Sequence, residues 1–316
     1  MAINSPATES SQGYLQDPRN QGVLVYVNGE FFPRDQAKVS VFDSGFVLGD
    51  GIWEGLRLVQ GRLISLEAHL DRLFEGARSI ALDIGMTRDQ VKAALWQTLE
   101  RNCMTDGAHM RLMITRGRKK TPNQDPRFVI GGATVVIVAE YKTPKPGSRE
   151  QGLTLMTSTF RTSNPDVFDL RLNSHSRLNL IQALLQAISM GADEALMLDP
   201  RGFVASCNST NFFIVRGNEL WTSTGLYNFK GITQQKVVDV WRAAGKVARE
   251  CDFTLAQVYS ADESFLTGTL GGVTPVTRID GRVIGDGKPG LVTAQASELY
   301  LKAVMNPDAG QGKMQP

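Results

Sequence analysis

The most restrictive feature of the sequence is a series of four short apolar segments within residues 194–223. Each segment has the length of a β-strand, and the gaps between them are too short for helices, so neighbouring segments are predicted to pair. A sheet of many short consecutive strands is predicted to close on itself in a barrel-like form, with helices outside. The four segments are EALMLD (194–199), FVASC (203–207), NFFIV (211–215) and ELWTS (219–223).

The N-terminal half of the chain has a different pattern, in which strands and helices alternate. A β-hairpin is predicted for VLVYVNGEFFP (23–33), because two apolar runs meet at an Asn-Gly turn. Apolar residues at helical spacing predict two helices, EAHLDRLFEGARSI (67–80) and TRDQVKAALWQTLERN (87–102). The segments HMRLMITRG (109–117) and ATVVIVAEY (133–141) are typical of strands. This half is therefore predicted to be an α+β domain with an antiparallel sheet and two helices.

A proline- and glycine-rich segment, TPKPGSREQG, separates the two halves and is predicted to be a linker. A chain of 316 residues is long enough for two domains. The polar N-terminus has no apolar core of a signal peptide and is predicted to be a flexible or strapping arm. The predicted division is an arm at 1–22, a small domain at 23–142, a linker at 143–152, a larger domain at 153–305 and a disordered tail at 306–316.

Composition narrows the class of protein. A net charge of +2 argues against nucleic acid as a main partner. The sequence has no run of 18 apolar residues, so no membrane span is predicted. The three cysteines are odd in number and widely spaced, which indicates a reducing, cytoplasmic setting rather than a disulfide framework.

Three polar segments are candidates for a functional site. The loop before a predicted helix at 177–190 holds Asn173, Ser174, His175 and Arg177. Gly231-Ile232-Thr233 begins another predicted helix, where backbone N–H groups and a hydroxyl suit an anion, although a plain helix cap has the same pattern. Thr267-Gly268-Thr269 suits close approach of the backbone to a ligand, or is simply a glycine-rich turn.

Several motifs in one order resemble the fold-type IV pyridoxal-phosphate enzymes, which include branched-chain aminotransferases, D-amino-acid aminotransferases, (R)-amine transaminases and aminodeoxychorismate lyase. The resemblance implies a small N-terminal domain, a larger pseudo-barrel domain, pyridoxal 5'-phosphate as cofactor, a small amino or keto acid as substrate, and a homodimer. The motifs are VYVNGEFF, SVFDSGFVLGDGIWEGLR (40–57), HLDRL (69–73), MRLMITRG (110–117), GADEALMLD (191–199), TNFFIV (210–215), GIT (231–233) and ADESFLTGT (261–269).

The residues that hold the cofactor phosphate in this family have counterparts in the sequence. The arginine of HLDRL is Arg72, which by its helical pattern alone would be a solvated or ion-paired residue. The resemblance implies that Arg72 contacts the phosphate and that the segments around Ile232-Thr233 and Gly268-Thr269 donate hydrogen bonds to it. Asn211, in the NFF motif, is implied to lie beside the cofactor. The phosphate site is therefore predicted to be kept.

The catalytic centre departs from the family pattern at two positions. The family places a lysine 21 residues before the glutamate of the ADEA motif, and Asn173 stands there. There is no lysine between Lys145 and Lys230 to take its place. An amide nitrogen can neither form a Schiff base nor carry a proton. The family glutamate that pairs with the pyridine nitrogen is replaced by Ser206, whose hydroxyl cannot hold a cation by charge.

Three readings of the function follow. In the first, the protein is an aminotransferase-family enzyme with a rebuilt site, which binds pyridoxal or pyridoxamine phosphate, or another phosphorylated ligand, non-covalently. His175 would be the acid–base group, Asn173 and Ser174 would orient the ligand, and Arg177 would bind an oxyanion. In the second, Lys230 forms the Schiff base of a conventional aminotransferase. In the third, the protein is a non-catalytic ligand sensor or a structural partner in a mixed oligomer. The alternative role for His175 itself is that of a histidine at a helix N-terminus bonded to a backbone carbonyl.

Overall fold

The computed structural model describes residues 10–145 and 147–306, so the predicted tail lies outside it except for residue 306. The strands are β1 (Tyr14–Leu15), β2 (Leu24–Val27), β3 (Glu30–Pro33), β4 (Gly51–Val59), β5 (Arg62–Leu63), β6 (Ala108–Thr115), β7 (Thr134–Tyr141), β8 (Thr143–Pro144), β9 (Leu153–Thr157), β10 (Glu194–Leu198), β11 (Val204–Cys207), β12 (Asn211–Arg216), β13 (Glu219–Thr222), β14 (Ala248–Glu250), β15 (Glu263–Gly268), β16 (Gly272–Ile279) and β17 (Arg282–Val283). The α-helices are α1 (Ser44–Leu48), α2 (Leu66–Ser79), α3 (Arg88–Arg101), α4 (Gly147–Glu150), α5 (Pro165–Phe168), α6 (Leu178–Ser189), α7 (Ile232–Ala243), α8 (Leu255–Tyr259) and α9 (Leu291–Met305). Short 3-10 helices lie at Pro18–Gly22, Arg34–Gln36 and Pro126–Phe128.

The described chain divides into two compact units. The smaller unit comprises residues 16–143 and 172–176, and the larger comprises residues 10–15, 144–171 and 177–306. The loop 172–176 falls within the predicted larger domain but clusters with the smaller unit. The domain limits proposed from the sequence therefore do not anticipate the placement of this loop.

The smaller unit is built on a six-stranded antiparallel sheet in the order β3-β2-β7-β6-β4-β5. The hairpin between β2 and β3 turns at Asn28 and Gly29, whose φ angles are 51° and 97°. Two consecutive residues with positive φ are what a tight two-residue hairpin requires, and Asn-Gly supplies them at low cost. The predicted hairpin is confirmed.

Helices α2 and α3 cover the sheet of the smaller unit. Thr87 and Gln90 form a reciprocal capping box that begins α3. Helix α2 buries a row of apolar residues at helical spacing, and these join Leu56, Leu58 and Leu112 of the sheet in one core. The buried row is Leu66, Leu70, Leu73 and Ala77.

The larger unit contains a nine-stranded mixed sheet, with β17 paired to β16 and the other strands in the order β11-β10-β9-β16-β15-β12-β13-β14. Strands β11 and β12 are first and sixth in this order, yet only residues 208–210 connect them. The four Cα–Cα steps from residue 207 to residue 211 span at most about 14 Å, whereas five strand spacings in a flat sheet amount to about 24 Å. The sheet therefore curls, as the closely spaced strands predicted.

Candidate functional site

The loop 172–176 runs along β4 where β5 does not pair with it. Asn173 is 5% exposed, and its backbone oxygen accepts a hydrogen bond from the backbone nitrogen of Trp53 at 2.9 Å. Its side-chain Nδ2 donates to the backbone oxygen of Trp53 at 2.5 Å. The loop therefore uses the Asn173 amide to extend the sheet, at the position where the family resemblance places an amine.

Ser174 and His175 continue this attachment to β4. Ser174 forms an antiparallel bridge with Ile52, and its carbonyl accepts a hydrogen bond from Nε1 of Trp53 at 3.0 Å. The backbone nitrogen of His175 donates to the carbonyl of Gly51 at 3.0 Å, and its ring Nε2 lies 3.1 Å from the carbonyl oxygen of Ile52. Because a carbonyl only accepts, this contact assigns the proton to Nε2 and the lone pair of the neutral ring to Nδ1.

Arg177 and Lys230 belong to the larger unit. Arg177 is the N-cap residue of α6 and makes no capping bond with its side chain. Its guanidinium carbon lies 5.5 Å from the centre of the Phe229 ring. The side chain of Lys230 is 51% exposed, and its Nζ lies 3.6 Å from a carboxylate oxygen of Glu250. Lys230 is thus a surface lysine beside an acid.

In the smaller unit, Arg72 is held by a buried carboxylate. Its Nε and Nη2 donate to the two oxygens of Glu54 at 2.8 and 2.7 Å, and Nδ1 of His69 lies 2.7 Å from Glu54 as well. Burial works to raise the pKa of Glu54, but the hydrogen bonds and charge of Arg72, helped by His69, hold that pKa at about 2. Arg72 is therefore ion-paired, as its helical pattern alone predicted. The contact of Arg72 with a phosphate stays a prediction.

The larger unit brings together the start of α7 and the start of β12. Gly231 is the N-cap residue of α7, and no side chain caps this end of the helix. A Cβ at Gly231 would lie 2.1 Å from Oδ1 of Asn211, whose Nδ2 donates to the carbonyl of Phe229 at 2.7 Å. Glycine is needed here because Asn211 fills the space. The N–H groups of Ile232 and Thr233 lie in the first turn, where a helix provides no acceptors of its own.

The end of β15 lies beside the same corner of the larger unit. Thr267 is directly opposite Asn211 in the sheet, so the two side chains share a face. Thr267 is 1% exposed, and its hydroxyl has no hydrogen-bond partner among the described residues. A Cβ at Gly268 would lie 3.2 Å from the methyl group of Thr210, so the backbone approaches closely here too. Thr269 follows in the turn to β16.

Ser206 lies on β11 of the larger unit and is 6% exposed. Its hydroxyl donates to the carbonyl of Cys207 at 3.2 Å. Next to it, Nδ2 of Asn228 donates to the carbonyl of Ala205 and to the hydroxyl of Ser223, the latter at 2.6 Å. Oδ1 of Asn228 is buried without a partner in the described part of the chain. The side chain of Ser206 is therefore a neutral hydroxyl, and Ser223 and Asn228 add further neutral groups beside β11.

The candidate residues can be compared with two groups of pyridoxal phosphate, the cofactor that the family resemblance implies: its phosphoryl group and its aldehyde. The uncapped start of α7, the unpartnered hydroxyl of Thr267 and the close backbone at Gly268 suit a phosphoryl group. The amide of Asn173, engaged with a backbone carbonyl, does not suit covalent attachment of an aldehyde. Sequence patterns missed Asn228 altogether and gave Glu54 only as a letter of the GIWEGLR motif, because their partners are far away in the chain.

The curled sheet, the antiparallel smaller sheet and the order of these segments define a class of protein. The chain belongs to the amino-transferase class IV family, which matches residues 51–279. Among solved structures, the T.th. branched-chain amino acid aminotransferase with pyridoxamine 5'-phosphate has a TM-score of 0.85 and 28% identity, and the match covers 91% of this chain and 96% of that one. The predicted family and the predicted two-domain α+β fold are confirmed.

Curated relatives give the same family. The branched-chain-amino-acid aminotransferase-like protein 2 of Arabidopsis thaliana is 39% identical over 91% of this chain, and the chain spans 51% of its length. The chain thus spans about half the length of the first of these relatives. A putative branched-chain-amino-acid aminotransferase of Methanocaldococcus jannaschii is 37% identical over 87% of this chain and 94% of its own.

Within residues 10–145 and 147–306, no helix has both the length and the apolar character needed to cross a membrane.

Proposed function

We propose that this class IV aminotransferase-like protein binds pyridoxal or pyridoxamine phosphate, or a similar phosphorylated ligand, without a covalent bond. The phosphoryl group is held by Gly231, Ile232 and Thr233 at the start of α7 and by the Gly268-Thr269 turn. The observation that carries the proposal is the buried, unpartnered hydroxyl of Thr267 beside a helix start that no side chain caps. A phosphate oxygen satisfies both the hydroxyl and the first-turn N–H groups.

In this proposal the substrate is a small amino or keto acid. Residues of the loop that pairs with β4, together with Arg177 after it, transfer the proton, orient the ring and bind the substrate. When bound, the cofactor supplies the capacity to accept and return an amino group. His175 takes up and returns a proton at Nδ1, since the Ile52 carbonyl fixes Nε2 as the protonated nitrogen. Asn173 and Ser174 keep the loop in register with β4 and so orient the ring. Arg177 binds a substrate carboxylate.

Two observations bear on the alternatives, a conventional aminotransferase that uses Lys230 and a ligand-binding protein without catalysis. Lys230 is exposed and lies next to Glu250, which argues against a buried Schiff-base lysine at this position. A ligand-binding protein without catalysis is favoured by the bond between the His175 ring and the Ile52 carbonyl, because a structural histidine has that contact. The enzyme and the binding protein differ in turnover and not in affinity.

The test is titration of the purified protein with pyridoxal phosphate and pyridoxamine phosphate, followed by borohydride reduction and peptide mass spectrometry. We expect saturable binding of both ligands and no adduct on any lysine. An adduct on Lys230 would support the conventional reading, and no binding of either ligand would overturn the proposal. Pyridoxamine without its phosphate is the matched control and should bind much more weakly.

A pair of variants separates the enzyme from the binding protein. His175→Ala removes both ring nitrogens, whereas His175→Gln keeps a donor for the Ile52 carbonyl and removes only the base. If His175 moves a proton, both variants lower kcat about 100-fold or more with little change in ligand affinity. A binding protein gives a different result, because the wild type then shows no turnover and His175→Ala changes only the affinity for the ligand.

We also propose that the protein is a homodimer in a reducing, cytoplasmic setting. Val41 and Phe46 of the smaller unit are 67% and 73% exposed, and large apolar side chains of this kind are common in subunit interfaces. The three cysteines are unpaired, as a reducing compartment favours. Sedimentation of the wild type and of Phe46→Ser tests the dimer, since a monomeric wild type would exclude it.

A further inference from the structure

A buried carboxylate ties the N-terminal arm to the larger unit. Glu194, the first residue of β10, is 1% exposed. It accepts hydrogen bonds from the backbone nitrogen of Ser11 at 3.0 Å, from the Ser11 hydroxyl, and from the hydroxyl of Thr210 at 3.0 Å. Burial raises the pKa of Glu194, which the three donors only partly offset. Two of these three donors come from the arm, so Glu194 depends on the arm for its hydrogen bonds.

The arm then passes over the turn that follows β15. A Cβ at Gly271 would lie 3.0 Å from the backbone oxygen of Ser11, and a Cβ at Gly268 would lie 4.0 Å from Nε2 of Gln12. The backbone nitrogen of Gly13 donates to the carbonyl of Ser10 at 2.9 Å, which folds the arm into a tight turn at this point. The side-chain amide of Gln12 is thus placed against the Gly268 turn, while Gln12 itself is exposed.

We propose that Gln12 is a further binding residue for the phosphoryl group of the ligand, and that Ser11 and Glu194 are the residues that position it. This inference rests on the proposed function, because it places the phosphoryl group at the Gly268 turn. Glu194 holds Ser11 by hydrogen bonds, and Gln12 follows Ser11 directly in the chain. The position of Gln12 beside the Gly268 turn therefore depends on Glu194. The Nε2 group of glutamine donates hydrogen bonds only, which suits a phosphate oxygen.

The Glu194 side chain links two parts of the larger unit through its two carboxylate oxygens. Glu194 accepts from Thr210 on one oxygen and from Ser11 on the other, so it joins the arm to the residue that precedes Asn211. Asn211 in turn adjoins Gly231. One buried group thereby aligns the arm, the start of β12 and the start of α7.

The experiment measures the affinity of the full-length protein for pyridoxamine phosphate and for pyridoxamine by calorimetry. Gln12→Ala should weaken binding of pyridoxamine phosphate about 10-fold, as expected for loss of one hydrogen bond to a charged group. Its affinity for unphosphorylated pyridoxamine should not change. Gln16→Ala, an exposed glutamine four residues further along the chain, is the matched control and should bind as the wild type does.

Two further variants test the positioning residues. Ser11→Ala should reproduce the phosphate-selective loss, and Ser11→Thr, which keeps the hydroxyl, should restore affinity. Hydrogen exchange at the Ser11 amide should slow on addition of pyridoxamine phosphate and not on addition of pyridoxamine. These readouts are specific to the ligand, so a purely structural arm would lower the melting temperature in Ser11→Ala without moving them.

The outcomes separate the two proposals. A wild type that does not bind pyridoxamine phosphate overturns the proposed function and the role of Gln12 with it. A wild type that binds, together with a Gln12→Ala variant that binds equally well, overturns only the role of the arm. An equal loss of affinity for both ligands in Gln12→Ala would also overturn it, because a phosphate contact cannot act on pyridoxamine.

Discussion

Asn173 and Trp53 are joined by two hydrogen bonds that run in opposite directions. The backbone nitrogen of Trp53 donates to the backbone oxygen of Asn173, and the side-chain nitrogen of Asn173 donates to the backbone oxygen of Trp53. The asparagine side chain thus replaces a backbone N–H in the ladder of β4. The Asn173 side chain therefore attaches the loop to β4, and the longer, flexible side chain of a lysine would not place a donor at the same point.

The first prediction concerns a lysine placed at this position. Asn173→Lys should form an adduct with pyridoxal phosphate that borohydride fixes on residue 173, whereas the wild type should form none. The reason is that only the primary amine is nucleophilic. Mass spectrometry of the reduced, digested protein identifies the modified residue.

Asn173→Gln is the control for this prediction, since it changes the length of the side chain without adding an amine. An adduct elsewhere in Asn173→Lys, or none at all, would show that residue 173 is not beside the aldehyde of the ligand. The introduced lysine also removes the bond to the Trp53 carbonyl, at a cost of about 1 kcal/mol in the free energy of unfolding.

A second prediction follows from the Glu54 cluster. Glu54→Gln removes the charge that pairs with Arg72 and should lower the free energy of unfolding by about 2–3 kcal/mol at pH 7. The folded-state pKa of Glu54 is about 2, below its ordinary value of 4.5. Its contribution is therefore present above pH 4.5 and is lost as the pH falls toward 2.

Urea unfolding of wild type and Glu54→Gln between pH 7 and pH 3 measures this contribution. The difference between the two proteins should shrink on acidification. Glu298→Gln, which changes an exposed glutamate of α9 paired with Lys302, should show a much smaller effect because solvent screens that pair. A difference that stays constant with pH would mean that Glu54 is not the group that titrates.

Sequence patterns predicted the local elements of this chain better than its long-range contacts. The hairpin at Asn28 and Gly29 follows from the φ angles that these residues tolerate, so a short stretch of sequence was enough to place it. The pairing of Ser11 with Glu194 spans 183 residues and has no periodic signature. The partner of Arg72 could not be named either, because it depends on how β4 and α2 pack.

The candidate site shows the same limit. The sequence predicts departures from the family pattern at Asn173 and Ser206, because the family spacing assigns a lysine and a glutamate to those positions. The attachment of the loop to β4 was not visible, since a polar loop carries no information on which strand it will extend. The placement of residues 172–176 in the smaller unit depends on the edge of β4 at Ile52 and Trp53, with which β5 does not pair.

The third prediction concerns His109 of β6. Burial, together with the charges of Lys142 and Arg111, lowers the pKa of His109 to about 3. The ring should therefore stay neutral, and its NMR signals should not shift between pH 8 and pH 5. Because the folded pKa lies below the ordinary value of 6.5, stability is lost as the pH falls from 6.5 toward 3.

The loss of stability due to His109 begins at a higher pH than the loss due to Glu54, so the two contributions to the free energy of unfolding can be separated. His109→Gln should reduce the loss of stability between pH 6.5 and pH 4.5, where Glu54 is still charged. A His109 signal that titrates near pH 6.5 would show that the ring is solvated and would contradict the prediction.

The last prediction uses the close approach of Gly231 and Asn211. The backbone of Gly231 has φ −74° and ψ 139°, which alanine also adopts, so Gly231→Ala adds only a methyl group. That Cβ would lie 2.1 Å from Oδ1 of Asn211, which is 4% exposed and bonded to the Phe229 carbonyl. The clash should lower the free energy of unfolding by about 1–3 kcal/mol and weaken binding of pyridoxamine phosphate by displacing the start of α7.

In Asn211→Ala the same methyl group has room, so a double-mutant cycle should show that Gly231→Ala lowers the free energy of unfolding much less in that background. Equal costs in both backgrounds would mean that Asn211 does not hold the N-terminal turn of α7 in place.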